Sequence, residues 1–233
     1  MDPLIVDVYH DDGPKDWKAL AASGPPWHGA ILKATQGTYY DAGAWFDANW
    51  RDVRDAGGDR YGVDWFRGAY HYLDVRLDGT AQADYFLRAV ERAGGWSAGD
   101  LLPMVDVERA GQREGIGAPQ IINCVSAFIG RVRSAAGRET MLYGGSYLAE
   151  LGITDRMGAK WLAIARYTPT LPSTVVTRIG WDLGSLALWQ YCGDGTAGLA
   201  GYPSEAPGCG KVDISALVLP GGIATLREQI ASP

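Results

Sequence analysis

Eight short apolar runs, alternating with helical patterns and turns, narrow the architectures open to this chain. The runs fall at residues 4–9, 30–34, 68–72, 102–107, 140–143, 161–165, 186–191 and, briefly, 212–214. Between them lie stripes at helical spacing. Phe46, Trp50 and Val53 form one that stops at Gly57-Gly58. Tyr85, Phe86, Ala89 and Val90 form another, with Asp78 and Thr80 as candidate caps and Gly94-Gly95 as the stop. Ile121, Val125, Phe128, Ile129 and Val132 form a third, closed by Gly137. Strand, helix, strand repeated along one chain predicts a mostly parallel sheet, and about eight such strands close most economically into a barrel. After Arg166 the pattern weakens: residues 168–184 are rich in Pro and Thr, and 193–210 form a Gly-rich stretch with turn chemistry throughout. The expected fold is therefore an α/β protein, an irregular TIM-like (β/α) barrel with helices missing in its C-terminal part. Residues 1–219 are expected to form one domain. Residues 220–233 are expected to be a tail with a short helix at 223–230, where Ile223, Leu226 and Ile230 share a face.

Composition removes several function classes. The 233 residues suit one large domain. No apolar run reaches 18 residues, so no membrane-spanning helix is expected. Met1-Asp2-Pro3 runs straight into Leu4-Ile5-Val6 without a basic leader, so no secretory signal is expected either. The net charge is −6 and the 21 basic residues are scattered, which gives no footprint for nucleic acid. His10, His28 and His71 lie far apart and no CxxC occurs, so neither a metal nor another cofactor is expected. Of three cysteines, Cys124 reads as a small core residue. Cys192 and Cys209 flank the Gly-rich stretch and either pair, contributing about 3 kcal/mol on a chain-entropy account, or stay reduced and silent. Nine Trp and twelve Tyr are many for this length. They divide between core positions and flat faces suited to pyranose rings.

The chemistry concentrates in Leu101-Leu102-Pro103-Met104-Val105-Asp106-Val107-Glu108, an apolar run ending in two carboxylates. Alternate strand residues share a face, so Asp106 and Glu108 are expected about 6–7 Å apart on the same side. Like charges in a poorly hydrated place push their proton affinities apart, and a proton donor beside an anion is what cleavage of a glycosidic bond requires. In parallel barrels the catalytic groups project from the C-terminal strand ends. Asp7, Tyr70-His71, Tyr143, the Leu188-Trp189-Gln190-Tyr191 segment and Asp213 are candidates for the same rim.

These segments resemble glycoside hydrolase family 25, the Chalaropsis-type lysozymes. The matching stretches are Val6-Asp7-Val8-Tyr9-His10 with Asp16-Trp17, then Leu32-Lys33-Ala34-Thr35-Gln36-Gly37. Gly68-Ala69-Tyr70-His71-Tyr72 and Pro103-Met104-Val105-Asp106-Val107-Glu108 follow. Leu142-Tyr143, Trp161-Leu162-Ala163, Trp189-Gln190-Tyr191 and Val212-Asp213 complete the set in the family's order. One position departs: Gln36 stands where the family usually has Glu, and an amide cannot ionise.

The resemblance implies a 1,4-β-N-acetylmuramidase that cuts peptidoglycan between N-acetylmuramic acid and N-acetylglucosamine with retention, by assistance from the substrate's acetamido group. Glu108 is then the general acid and base, and Asp106 an anion that orients the acetamido group. Asp7 and Asp213 complete the catalytic set. Tyr70, Tyr143, Trp189, Gln190, Gln36 and Lys33 are implied as substrate-binding residues, with Trp189 as a sugar platform. A chitinase-like hydrolase and a wall-binding pseudoenzyme are the alternatives; Met104 stands against the first and the intact acids against the second. The expected partner of a monomeric enzyme is the bacterial wall, without nucleic acid or membrane insertion. The expected setting is a phage or prophage endolysin released through a holin lesion, or a processed secreted enzyme.

Overall fold

The computed structural model describes residues 1–109, 115–197 and 199–231, so residue 198 of the Gly-rich stretch and the last two residues of the expected tail lie outside it. Eight strands form the barrel: β1 (Leu4–Val8), β2 (Trp27–Gln36), β4 (Phe66–Tyr72), β5 (Met104–Asp106), β6 (Met141–Gly144), β7 (Trp161–Ala165), β8 (Leu186–Gly193) and β10 (Asp213–Leu217). Two-residue strands β3 (Tyr40–Asp41) and β9 (Thr196–Ala197) extend β2 and β8 at the rim. From β2 round to β8 the neighbours are parallel. β1 pairs in parallel with β2, and β10 runs antiparallel between β8 and β1, which closes the cylinder.

The helices are α1 (Trp17–Ala22), α2 (Gly43–Gly57), α3 (Gly79–Arg92), α4 (Ala118–Ala136), α5 (Ser146–Glu150), α6 (Ser173–Arg178) and α7 (Gly222–Ile230). Local chemistry sets the ends of the long ones. The Asp78 side chain accepts from the Ala81 N–H and caps α3, and Gly137 at φ 65° ends α4. The sequence leaves residues 168–184 without a helix; the structure places the six-residue α6 there, with Val176 buried. Its single apolar anchor gives no periodic signal. Between β8 and β10 no helix occurs among the described residues.

Strand alternation sorts the core into two layers. Val6, Val8, Leu32, Ala34, Val105 and Val107 face outward against the helices, in a shell that includes Phe46, Trp50, Phe86 and Phe128. Ile5, Ile31, Met104, Met141, Trp161 and Leu217 face inward and fill the lower barrel. Leu226 and Ile230 of α7 join that inner cluster and plug the barrel from below. Apolar packing thus occupies the lower half of the interior and leaves the upper half to polar residues.

Candidate active site

The alternation that sends Val105 and Val107 outward sends Asp106 and Glu108 inward, and Asp7 and Lys33 follow from Val6, Val8, Leu32 and Ala34 by the same rule. Sheet register then sets their heights. Asp106 lies level with Tyr72 on one side and Tyr143 on the other. Asp7 lies level with Ile31 and with Asp213. Asp213 is the first residue of its strand, and it reaches the rim of C-terminal strand ends because β10 runs the opposite way. Asp7, Asp106, Glu108 and Asp213 accordingly meet round one mouth, with Lys33 among them.

Crowding shifts the proton affinities of this group. Burial holds Asp106 well above the usual carboxylate range, reinforced by Glu108 and Asp7 and opposed by Lys33. Burial does the same for Asp7, which also feels Asp213, Asp12 and Glu108. Glu108 is raised by burial, while Lys33 and a hydrogen bond with Tyr143 pull it down. Asp213 is pushed up to about 6 by burial, although the Asp194 N–H at 2.9 Å favours its anion. Four such groups exchange protons as a set. The sequence reading put the proton on Glu108 beside an ionised Asp106. In the free protein burial pushes both carboxyls up, Asp106 at only 5% exposure as well as Glu108.

The neighbours are specific. Tyr143 donates to Gln190 Oε1 at 2.5 Å. Tyr70 and Tyr143 are kept as neutral phenols by burial and the surrounding acids. Lys33 Nζ donates to Gln36 Oε1 at 2.9 Å and lies 4.7–6.0 Å from the rings of Tyr72, Tyr40 and Tyr9. Because Gln36 is neutral, it orients Lys33 without cancelling its charge. Asp106 Oδ1 is buried and has no hydrogen-bond partner. That acceptor, set beside Glu108, is available to a donor on a bound molecule.

Two rim candidates face away. Trp189 packs in the outer shell at 4% exposure, and its indole N–H donates to the Arg166 carbonyl at 2.8 Å, so it offers no open face to a sugar. Adjacent strand residues point oppositely, and it is Gln190 that faces the mouth. His71 likewise turns outward from Tyr70. Its Nδ1 lies 2.8 Å from the Thr35 hydroxyl and its Nε2 3.1 Å from Gln82 Oε1, while its ring stacks on Phe128. Since Gln82 Oε1 can only accept, Nε2 carries a proton, and burial lowers the imidazole pKa to about 4, so the ring is neutral. The sequence reading missed Tyr167, half-exposed at the mouth, whose hydroxyl a Cβ on Gly193 would meet at 2.5 Å. Its phenol is raised by burial and then by Asp213 and Glu108, which puts it beside the acids. Tyr167 lies just before the Thr- and Pro-rich stretch, where the periodicity has already faded, so no pattern pointed to it. Tyr9 and Tyr39 are further exposed rings near Lys33 and Gln36. All three cysteines are free thiols, including Cys192 and Cys209. Among the described residues no group of three or more His, Cys, Asp or Glu is arranged to hold a metal ion, and no helix is long and apolar enough to cross a membrane.

Solved and curated proteins similar to this chain share its fold and family. The solved muramidase from Trichobolus zukalii is 25% identical, with a TM-score of 0.76 over 98% of this chain and 99% of that one. The bacterial lysozyme from Streptomyces coelicolor shares the fold at 24% identity and a TM-score of 0.74, over 99% and 98% of the two chains. An N,O-diacetylmuramidase from Arthroderma benhamiae is 31% identical over 118 residues, 48% of this chain and 46% of that protein. The chain spans about half the length of the curated relatives it matches. The model of glycosyl hydrolases family 25 matches residues 6–198, most of the barrel and three of its four inward acids. This chain belongs to glycosyl hydrolases family 25.

Proposed function

We propose that this protein hydrolyses bacterial peptidoglycan at the β-1,4 bond between N-acetylmuramic acid and N-acetylglucosamine. The observation that carries the reading is the unpartnered, buried Asp106 Oδ1 beside Glu108 in an aromatic-rimmed mouth. An acetamido N–H of the muramic acid ring satisfies that oxygen. The bond favours the Asp106 anion and so leaves the proton of the coupled pair to Glu108. Glu108 then protonates the departing glucosamine oxygen as the glycosidic C–O bond breaks. The acetamido oxygen bonds to the anomeric carbon, and the Asp106 anion stabilises the positive charge that develops on the resulting ring. In the second half, Glu108 takes a proton from water, whose oxygen adds to the anomeric carbon and releases the acetamido group with retained configuration. Tyr70 and Tyr143 act as neutral donors or acceptors, Asp7 and Asp213 hold the charge balance, and Lys33 opposes the acids. Tyr167 replaces Trp189 as the sugar platform.

The catalytic unit is assigned to residues 1–219, working as a monomer without a cofactor. It acts at the cell wall, reached through a membrane lesion or by secretion. Mass spectrometry of muropeptides after digestion tests the reading. Reducing ends on muramic acid are expected. Reducing ends on glucosamine, products from chitin alone, or released peptides would replace it with another activity.

A further inference from the structure

Tyr39 is 60% exposed, and a ring so open to water ordinarily moves between rotamers. Here its surroundings hold it. Its edge rests on Gly37, where a Cβ would lie 2.4 Å from Tyr39 Cε1, so a residue without a side chain leaves room for the ring. Its hydroxyl is tied from two sides, accepting from Gln36 Nε2 at 3.3 Å and donating to Asp74 Oδ2 at 3.4 Å. The direction of both bonds follows from the neighbours. The Lys33 ammonium can only donate and takes Gln36 Oε1 at 2.9 Å, which leaves the Gln36 NH2 to face Tyr39. Asp74, 2% exposed and paired with Arg76 through Nε at 2.7 Å, receives the tyrosine proton. An amide at position 36 serves both neighbours; a carboxylate there could only accept and would draw the tyrosine proton away from Asp74.

Topology sets this ring against Tyr167. Tyr39 follows β2 and Tyr167 follows β7, and in the closed order of the barrel these strands lie four steps apart in either direction. The two rings therefore stand on opposite sides of the mouth. Between them, Asp106 and Glu108 project from the end of β5 on one flank, and Asp7 and Asp213 from β1 and β10 on the other. Tyr167, half-exposed, is likewise set against a glycine, Gly193. A polymer threaded between the two pairs of acids meets one ring before the bond to be cut and the other after it. We infer that Tyr39, fixed by Gly37, Gln36 and Asp74, is a second sugar platform, stacking on a pyranose ring of the glycan on the side of the scissile bond away from Tyr167. The negative face of a phenol ring suits the C–H face of a pyranose. A ring already fixed in the free protein also loses little freedom when the sugar arrives. The inference rests on the reading of the protein as a peptidoglycan hydrolase with Tyr167 as its first platform.

The probe is peptide-free glycan strands of peptidoglycan, offered to Tyr39→Ala and Tyr39→Phe. Binding is read by calorimetry in a Glu108→Gln background, where the strands are not consumed, and turnover in the protein with Glu108 intact. Tyr39→Ala is expected to weaken binding and raise KM by about tenfold, with kcat changed by less than about twofold. Tyr39→Phe keeps the ring and loses both ties, so its binding is expected to fall between the two. Because the ring is exposed, both variants are expected to melt with the unsubstituted protein. Unchanged binding in Tyr39→Ala, or an equal fall in kcat and kcat/KM, overturns the platform. Tyr39→Phe binding as tightly as the unsubstituted protein overturns the fixing of the ring by Gln36 and Asp74. Failure of the proposed activity looks different. A protein that cuts no peptidoglycan yet binds the strands in a Tyr39-dependent way loses the activity and keeps the platform. Strands cut with the same KM by Tyr39→Ala leave the activity standing and remove the platform.

Discussion

Glu108 and Asp106 differ by one methylene and two positions, and that is enough to separate their roles. Asp106 is almost wholly covered, with one oxygen lacking any partner; Glu108 is only partly buried at the lip of the same mouth. A group that must exchange protons with a leaving oxygen and then with water needs the outer position. A group that must fix an acetamido N–H in low dielectric needs the inner one. Replacement of Glu108 by Gln keeps shape and hydrogen bonding and removes the transferable proton. The variant is expected to melt no lower than the unsubstituted protein and to lose about 10³-fold in wall clearing, followed by turbidity. Clearing within tenfold of the unsubstituted protein would sink the assignment.

Elements depend on where backbones approach. Gly79 opens α3 where it meets α4, and a Cβ there would lie 2.1 Å from the Cys124 carbonyl oxygen. That oxygen belongs to helix backbone and cannot swing aside. Gly79→Ala must therefore separate the two helices and is expected to destabilise by about 1–3 kcal/mol, read as a lower urea midpoint at unchanged slope. A midpoint equal to that of the unsubstituted protein would show that α3 and α4 can part freely. The sequence foretold these elements unevenly, for physical reasons. Strands with outward Val and Leu alternating with inward polar residues were legible, as were helices with clear stripes and Gly stops. The antiparallel course of β10 was not, because it depends on pairing with β1 and β8 across nearly the whole chain. Trp189 and Gln190 were both assigned to the mouth, although neighbours on one strand face opposite ways; a strict count of alternation would have required a choice. Helix α6 and Tyr167 lie where neither period is present, so only the folded chain reveals them.

Acids are held differently at the two ends of the barrel. At the lower end Asp100 is fully buried yet satisfied: Arg67 Nε and Nη2 donate to it at 2.6 and 3.1 Å, and the Ser97 N–H donates at 2.6 Å. At the upper mouth carboxyls gather with Lys33 opposing them, and one oxygen goes unpaired. Such a mouth is retained for chemistry at the expense of stability. The sign can be worked out for Asp106. Its folded-state pKa is raised above the unfolded value near 3.8, so above that pH the folded form holds protons the unfolded chain has released. The residue's contribution to stability is therefore greatest in acid and falls as pH rises toward its folded pKa. Buried His71, lowered to about 4, acts the other way: its contribution is complete above about 6.5 and is lost as pH falls toward 4. That loss is common to the protein and to an Asp106→Asn variant, so it cancels in their difference. The amide introduced by Asp106→Asn does not titrate, and the loss of a charge there also relieves Asp7 and Glu108. The melting-temperature advantage of Asp106→Asn is accordingly expected to widen from pH 4 to pH 8, with about 2–4 °C for each kcal/mol in a chain of this size. Scanning calorimetry of both proteins across that range checks it. A gap that stays constant, or closes as pH rises, would mean that Asp106 is not held in its acid form by the fold.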